Sequence, residues 1–436
     1  MIGYEKYKLT HSLGFEKIPV EWDLKKVKYL FHIGRGRVIS QEELMDNGLY
    51  PVFSSQTQNN GCLGYINTFD FDCDQLTWTT DGANAGTVFI RSGKHNCTNV
   101  CGTLQPITYQ TNLKFSHYAL QYATQFHKRP DTNGAKIMNN EMAEISFALP
   151  AECEQFKIIE YLDHETAKID SLIEKQQQLI ELLKEKRQAV ISHAVTKGLN
   201  PDVAMKDSGV EWLGQVPEHW VKIKLKFIVK SIIDAEHKTA PYFEDGEYLV
   251  CRTTNVRNGQ LKLDGGKYTN QDTYNEWTQR AIPEIGDILF TREAPAGEAC
   301  VYDGSVPLCL GQRMVLFKLD QSKVCPDFVL YSIYSGLADD FIKQLSQGST
   351  VTHFNMSDIQ NIPLFEPPQN EQIKIKEYLM AITGRYDELI SKAESAIQLM
   401  QERRTALISA AVTGKIDVRN WQNPNNNNEA KTEFSA

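Results

Sequence analysis

Polar and basic side chains that could contact nucleic acid occupy short segments between predicted strands in both halves of the chain. In the first half they are Ser54, Ser55, Gln56, Asn59, Asn60, Thr80 and Asn84. In the second half they are Arg252, Thr254, Asn255, Arg257, Arg292, Arg313, Ser349 and Thr350. Arginine reads guanine and asparagine or glutamine reads adenine in the major groove, while serine and threonine hold phosphates. Any one segment alone is more simply a solvated turn, but the same polar position in both halves favours DNA contact.

The common catalytic motifs do not occur in the sequence. Gly34-Arg35-Gly36 lacks the third glycine of a dinucleotide site, and there is no GxxxxGK[ST], GxSxG or HExxH. Together these absences favour a binding protein over an enzyme. His95, Cys97 and Cys101 could supply three metal ligands, but their spacing is loose and no fourth ligand is evident. We therefore expect no catalytic residue, no metal and no cofactor.

Charge and cysteine content narrow the class of protein further. The 436 residues carry a formal net charge of −9, which argues against a lone, nonspecific nucleic-acid binder, since such a domain is normally basic. The nine cysteines form no CxxC pair, so reduced thiols are expected rather than a disulfide framework. No apolar run approaches ~18 residues and no signal peptide opens the chain, so the expected location is the cytoplasm.

The recognition segments are positioned by a stretch that the chain contains twice. Glu154–Thr196 and Glu371–Thr413 agree at 22 of 43 positions, without a gap, at an offset of 217 residues. Such agreement indicates an internal duplication. Apolar residues recur with a period of 3.5, which predicts two long helices that pack on each other as a coiled coil. Because each globular part precedes its own helix, only an antiparallel pair sends the two globular parts to opposite ends.

The predicted seam of the coiled coil follows alternating steps of four and three residues. In the first copy it comprises Ile158, Leu162, Glu165, Ile169, Leu172, Gln176, Leu179, Leu183, Lys186 and Val190. In the second copy it comprises Ile375, Leu379, Ile382, Tyr386, Leu389, Ala393, Ala396, Met400, Arg403 and Leu407. Pro150 and Pro367-Pro368 precede the helices, and Gly198 and Gly414 follow them, as start and stop signals.

The globular parts are duplicated as well, with more divergence. Ile18–Trp22 and Val216–Trp220 match at an offset of 198, which still holds at Asn60-Gly61 and Asn258-Gly259. Further on, the offset changes to 211. Strands are predicted at Leu76–Trp78, Thr87–Ile90, Tyr248–Arg252, Asp287–Phe290 and Met314–Leu319, and helices at Phe115–Phe126 and Pro326–Leu345. Both globular parts therefore belong to the α+β class.

The order of these features resembles the specificity subunit of type I restriction–modification systems. The resemblance is carried by the paired Ile18–Trp22 and Val216–Trp220 openings, Tyr50–Ser55, Thr79–Gly86, Gly286–Arg292 and the two repeated helices. It implies an α+β chain with two target-recognition domains separated by two long antiparallel helices. The predicted boundaries are 1–150 and 199–367 for the domains, 151–198 and 368–416 for the helices, and 417–436 for a disordered tail.

The resemblance also implies a function and partners. Each domain would read one half of a bipartite double-stranded DNA site, and modification subunits would dock on the helices. A motor-nuclease restriction subunit would join the full complex, and this chain would itself catalyse nothing. Two other interpretations stay open from the residues alone, namely a scaffold that binds protein and a stand-alone enzyme with an unrecognised site.

Overall fold

A computed structural model of the chain describes residues 3–108, 111–132, 134–211, 213–293, 295–337, 341 and 354–424. The chain forms two compact units. The first consists of Met1–Gln177 with Ser395–Ala436, and the second of Gln178–Glu394. Each unit thus contains one globular part and a portion of both long helices.

Among the described residues, the first unit contains fifteen strands and the second thirteen. The first unit contains β1 Tyr7–Leu9, β2 Lys17–Pro19, β3 Asp23–Lys26, β4 Phe31–Arg35, β5 Tyr50–Phe53, β6 Cys62–Ile66, β7 Phe71–Asp72, β8 Gln75–Thr79, β9 Asp81–Gly82, β10 Val88–Arg91, β11 Lys94–Cys97, β12 Cys101–Pro106, β13 Arg129–Asp131, β14 Gly134–Lys136 and β15 Ser146–Leu149. The second contains β16 Met205–Asp207, β17 Gln215–Pro217, β18 Val221–Lys224, β19 Val229–Asp234, β20 Tyr248–Cys251, β21 Val256–Arg257, β22 Gln260–Leu261, β23 Tyr268–Thr269, β24 Ile288–Thr291, β25 Ala299–Val301, β26 Leu308–Leu310, β27 Met314–Leu319 and β28 Pro363–Glu366.

Helices complete both units. The α-helices among the described residues are α1 Leu113–Ala123, α2 Asn139–Glu144, α3 Glu152–Lys197, α4 Gln271–Trp277, α5 Pro326–Ile333, α6 Met356–Gln360 and α7 Gln369–Val412. Short 3-10 turns lie at Val27–Tyr29, Gln41–Glu43, Gln58–Gly61, Thr124–Phe126, Leu225–Phe227 and Thr253–Asn255. Within the described part of the chain, no helix is long and apolar enough to cross a membrane.

Equivalent sheets in the two units confirm the duplication of the globular parts. A four-stranded sheet has the order β10-β8-β12-β4 in the first unit and β25-β24-β27-β19 in the second. A second sheet pairs β5 with β11 and, in the other unit, β20 with β26, and both pairs are parallel. A two-stranded ladder, β3 with β15 or β18 with β28, leads into each long helix. The predicted α+β class is confirmed.

The four-stranded sheet that the two units share packs its apolar face against an α-helix, α1 in the first unit and α5 in the second, to form a core. In the first unit, Trp78 and Phe115 are fully buried in a cluster that also contains Tyr161 and Leu162 of α3 and Val412 of α7. In the second unit, Phe290 and Phe317 of the large sheet contact each other with ring centroids 5.1 Å apart. Burial of these large side chains is the main stabilising contribution to each unit.

The long helices begin and end near the residues that the sequence predicts. Both begin directly after a proline-containing segment, and Gly198 and Gly414 follow them with φ of 74° and 70°. This left-handed conformation terminates helices and costs glycine little. The predicted helix Pro326–Leu345 is interrupted, because α5 ends at Ile333 and Gly336 adopts φ 87°, and residues 338–340 and 342–345 lie outside the described residues.

Two equivalent ion pairs confirm that the helices run antiparallel. In the first unit, Arg404 Nε of α7 lies 2.8 Å from Asp170 Oδ1 of α3. In the second unit, Arg187 Nε of α3 lies 2.9 Å from Asp387 Oδ1 of α7. Because Arg404 and Asp387 follow Arg187 and Asp170 by 217 residues, one contact is the repeat of the other. An early residue of one helix thus meets a late residue of the other in each unit.

The predicted seam is correct at both ends, where Ile158 and Ile375 are buried, but it is wrong at five positions in the middle and late turns. Leu172, Leu179 and Leu389 are 50%, 43% and 49% exposed, and Lys186 and Arg403 also face solvent. The residue one place later is buried or partly buried in each case, as Ile180 is at 9% exposure. In adjacent apolar pairs such as Leu172-Ile173, the sequence pattern allows either residue to be the buried one. In the structure, the second residue of each pair faces the interface.

A matched pair of variants tests the corrected seam. Ile180→Ala is expected to lower the free energy of unfolding by about 2 kcal/mol or more, since it removes buried methyl groups from the interface. Leu179→Ala, one residue earlier on the exposed face, should change it by no more than about 0.5 kcal/mol. Urea unfolding followed by circular dichroism at 222 nm measures both. If Leu179→Ala lowered the free energy of unfolding more than Ile180→Ala does, the seam predicted from the sequence would be the correct one.

Candidate nucleic-acid interface

The predicted recognition segments lie at one edge of a sheet in each unit because the strands before them are parallel. In the first unit, β5 and β11 align Phe53 with Cys97, so the segments 54–60 and 98–100 leave the sheet at the same edge. In the second unit, β20 and β26 align Cys251 with Leu310, which places 252–259 beside 311–313. The carboxyl edge of parallel strands is a common position for binding sites.

Equivalent backbone hydrogen bonds hold these segments together. Thr98 N donates to Phe53 O at 2.8 Å in the first unit, and Gly311 N donates to Cys251 O at 2.7 Å in the second. The neighbouring strand joins in the same way in both units, because Thr80 N donates to Val100 O at 3.3 Å and Arg292 N to Arg313 O at 3.1 Å. The residues that the sequence singles out in the two halves therefore occupy equivalent positions of one fold.

A cleft of about 280 Å³ in the second unit brings three predicted residues together. Its lining includes Arg252, Thr254 and Arg313, with Thr239 and Gln312 beside them. Arg313 remains half exposed, although its Nε lies 3.2 Å from Glu293 Oε1. Arg252 donates from Nη2 to Gly265 O at 3.1 Å. Two guanidinium groups at one polar cleft suit phosphate or the acceptor edge of guanine.

Other predicted residues of the second unit have partners inside the fold. Arg292 Nη1 lies 2.6 Å from Asp234 Oδ2, and only 13% of its side chain is exposed. Asn255 is buried, accepts from Arg252 N at 3.0 Å and donates to Lys262 O at 2.8 Å. Arg257 Nη1 donates to Val256 O at 2.8 Å. These side chains shape the segment from within, and Ser349 and Thr350 lie outside the described residues.

The first unit divides its predicted residues in the same way. Ser54 accepts from Thr98 Oγ1 at 3.2 Å, Ser55 accepts from Thr80 N at 3.2 Å, and Thr80 is buried. Gln56 Nε2 donates to Cys62 O. Three predicted asparagines stay exposed at the surface: Asn59, Asn60 and Asn84. Their amides offer both a donor and an acceptor, as adenine readout requires.

Sequence reasoning missed the groups beneath these segments. Arg91 in the first unit is 2% exposed, and its guanidinium lies 3.6 Å from the centroid of the Phe53 ring. Burial lowers the pKa of Arg91 to about 10, so it keeps its charge at neutral pH. In the second unit, Tyr334 donates to Glu298 Oε2 at 2.8 Å, and burial raises the pKa of its hydroxyl. A single arginine at the end of a strand, or a single tyrosine directly after a helix, gives no sequence signal of such a role.

The histidine that the sequence offers as a metal ligand has hydrogen-bond partners inside the first unit. His95 Nε2 lies 2.8 Å from Gln75 Nε2, and its Nδ1 lies 2.8 Å from Gly93 O. Burial lowers the pKa of His95, which favours the neutral ring. Among the described residues, no three His, Cys, Asp or Glu side chains are placed to hold a metal ion.

Comparison with known proteins gives a family to this arrangement. Residues 19–182 and 217–399 each match the domain described as type I restriction modification DNA specificity domain. The two matches begin 198 residues apart and end 217 residues apart, which are the offsets that relate the two halves of the sequence. The duplication seen in the strands and helices is thus a duplication of this domain.

Individual relatives agree with the domain match. A protein of Mycoplasma pneumoniae, provisionally named the N-terminus of a type I specificity subunit, is 41% identical over 139 residues, which are 32% of this chain and 74% of that protein. Two further proteins of that organism are matched over only 38% and 47% of their own length. A type I restriction enzyme specificity subunit of Methanocaldococcus jannaschii is 24% identical over 95% of this chain and 97% of that protein.

A solved structure shares the fold over most of both chains. It comes from work on complex assembly and conformational transition of the type I restriction–modification system, and it covers 92% of this chain and 100% of its own. The TM-score is 0.66 at 13% sequence identity. With two matched domains that together span most of its length, the chain belongs to the type I restriction–modification DNA specificity family.

Proposed function

We propose that this chain recognises a bipartite sequence in double-stranded DNA, with one half read by each unit. Modification subunits dock on the long helices, which fix the spacing between the half-sites, and a motor-nuclease restriction subunit joins the full complex. The chain itself supplies recognition and no catalytic group. Its relatives are named specificity subunits, and DNA recognition by this chain is the extension that we make from them.

The observation that carries the proposal is the equivalence of the two polar edges, which are the carboxyl edges of β5 and β11 in the first unit and of β20 and β26 in the second. A chain with one DNA site would need only one such edge, whereas this chain places exposed amides at Asn59 and Asn60 and guanidinium groups at Arg252 and Arg313 on the same strand pair of its two units. The side chains differ between the two edges, whereas the strand pair that carries them is the same. Different side chains on one scaffold are what recognition of two different half-sites requires.

Exposed apolar residues on the helices support docking of partners there. Leu172 and Leu389 are 50% and 49% exposed, and Leu182 and Leu399 are 54% and 65% exposed. The members of each pair lie 217 residues apart, so each helix offers the same apolar positions. Apolar side chains exposed in this way mark protein interfaces. Their duplication favours two equivalent docking surfaces, and partners that share the phosphate contacts would reconcile the net charge of −9 with DNA binding.

Substitution of the cleft arginines tests the DNA-binding role of the second unit. Arg252→Ala and Arg313→Ala are each expected to cost about 1–3 kcal/mol of binding free energy if the side chain reads a base, with relaxed preference at one position. A phosphate contact would instead weaken all sequences alike and flatten the salt dependence. Gel shifts of duplexes, with and without a modification subunit, distinguish these outcomes.

Arg280→Ala serves as the matched control, since Arg280 is half exposed, pairs with Glu236 and does not line the cleft. Wild-type affinity in both cleft variants, or an equal loss in Arg280→Ala, would place the DNA-binding face elsewhere. If no duplex binds selectively even with the modification subunit, the protein-scaffold interpretation gains support instead.

A further inference from the structure

An asparagine–glycine turn recurs at the polar edge of both units. Asn60-Gly61 and Asn258-Gly259 lie 198 residues apart. Both asparagines adopt φ of 53°, and the glycines adopt 79° and 81°. A left-handed conformation is uncommon for residues other than glycine, but asparagine adopts it more readily than most, and Asn-Gly is a favoured pair in such turns. Both asparagines are exposed, so what fixes the backbone also fixes the direction of a free amide.

In the first unit the turn is held by Arg91 from below. Arg91 Nη1 donates to Asn60 O at 2.8 Å, and Nε donates to Thr77 Oγ1 at 3.1 Å. The guanidinium lies between two aromatic rings, 3.6 Å from the Phe53 centroid and 4.4 Å from that of Phe89. A β-carbon on Gly61 would lie 2.7 Å from Arg91 Nη2, so a larger residue there would strain the backbone at φ 79° and displace the guanidinium.

The charge of Arg91 has no structural counter-ion among the described residues. Nη2 is buried and has no hydrogen-bond partner there. Burial lowers the pKa of Arg91, and the side chains that raise it are the thiols of Cys62, Cys97 and Cys101 rather than a carboxylate. A buried cation without a carboxylate is costly and is seldom retained for stability alone. Its hydrogen bond to the turn and the positive potential beneath an exposed amide both suit an anionic polymer bound above.

In the second unit the equivalent turn is held by opposite chemistry. Asn258 N donates to Glu298 Oε2 at 2.7 Å, and Gly259 N donates to Tyr334 Oη at 3.0 Å. Tyr334 also accepts from Ala299 N at 3.0 Å, which fixes its hydroxyl against the sheet. A carboxylate and a phenol thus accept hydrogen bonds from the backbone N–H groups of this turn. In the first unit, a guanidinium donates to the backbone carbonyl of the turn instead.

We infer that Arg91 and the Glu298–Tyr334 pair are positioning residues that aim the two asparagine–glycine turns at DNA, each for its own half-site. The inference rests on the proposed function, and it adds which internal groups set the specificity of each half. Because the two anchors share no residue and lie in different units, disturbing one leaves the other turn in place.

The test is selection from a randomised duplex pool by the complex of this chain with its modification subunits. Wild-type complex is compared with complexes that carry Arg91→Met or Tyr334→Phe. Arg91→Met is expected to relax base discrimination about tenfold within one half of the motif and to leave the other half unchanged. Tyr334→Phe should relax base discrimination in the other half of the motif and leave the first half unchanged. It keeps the ring and removes only the hydroxyl that accepts from Gly259 N. Thermal unfolding of each variant shows whether the chain remains folded.

Gly61→Ala provides a second route to the first turn if Arg91→Met does not fold, because it disturbs the contact from the surface side. Folded variants that leave both half-sites unchanged, or that alter both equally, overturn the inference. In that case the proposed function still stands if the wild-type complex selects a bipartite motif. A wild-type complex that selects no bipartite motif overturns both.

Discussion

Exchange of residues 15–150 for the corresponding domain of another type I specificity subunit is expected to change one half of the recognised site completely. The other half and the distance between the halves should stay as they were. The physical reason is that every exposed polar group at the first edge, Asn59 and Asn60 among them, lies within the exchanged segment. The second edge belongs to a unit with its own sheets and its own core.

The exchange must preserve the contact between the domain and the helices. Tyr161 and Leu162 of α3 and Val412 of α7 are buried in the same cluster as Trp22 and Phe115 of the first globular part. A donor domain with apolar residues at the equivalents of Trp22 and Phe115 keeps this interface. The reciprocal exchange of residues 199–367 is the matched control and should alter only the other half. A change in both halves after either exchange would show that the domains do not read independently.

Removal of one heptad from both helices is expected to shorten the preferred spacer by about three base pairs. Deleting Ile173–Leu179 together with Ile390–Ala396 shortens the separation by roughly 10 Å at ~1.5 Å per residue. At ~3.4 Å per base pair this corresponds to about three base pairs. The deletion joins Leu172 to Ile180 and Leu389 to Ile397, so the seam continues in phase because the pattern repeats every seven residues.

Binding of the shortened chain to duplexes with graded spacers measures the effect. Three base pairs also rotate one half-site by roughly a quarter turn around a duplex of ~10 base pairs per turn, so the new optimum should be weaker than the original. A four-residue deletion in each helix is the control, because it turns the seam away from its partner and should destabilise the protein. An unchanged spacer preference in a folded heptad variant would mean that the helices do not set the distance.

The sequence predicts the architecture well because the duplication is strong and periodic. Long helices, their antiparallel pairing, the α+β class and the family are all confirmed. The seam is misplaced at Leu172 and Leu179 because Leu172-Ile173 and Leu179-Ile180 are apolar at both positions. Only packing against the second helix decides which member of each pair is buried.

The recognition residues are less predictable than the fold because polar side chains serve two purposes. Asn255 and Thr80 have the types expected of DNA contacts, yet each is buried and hydrogen-bonds within its own unit. Arg292 is occupied by Asp234, a residue 58 positions earlier that no local pattern connects to it. The role of Arg91 cannot be predicted either, because a single arginine at the end of a strand has no distinctive sequence pattern. Only the structure shows its hydrogen bond to Asn60 O.

The central claim is that one chain reads two half-sites at a fixed distance. Methylation mapping of DNA from cells that express this chain with its modification and restriction subunits tests that claim most directly. We predict a single motif of two short defined segments separated by a gap of constant length and free sequence. A contiguous motif, a gap of variable length, or methylation without sequence preference would contradict it.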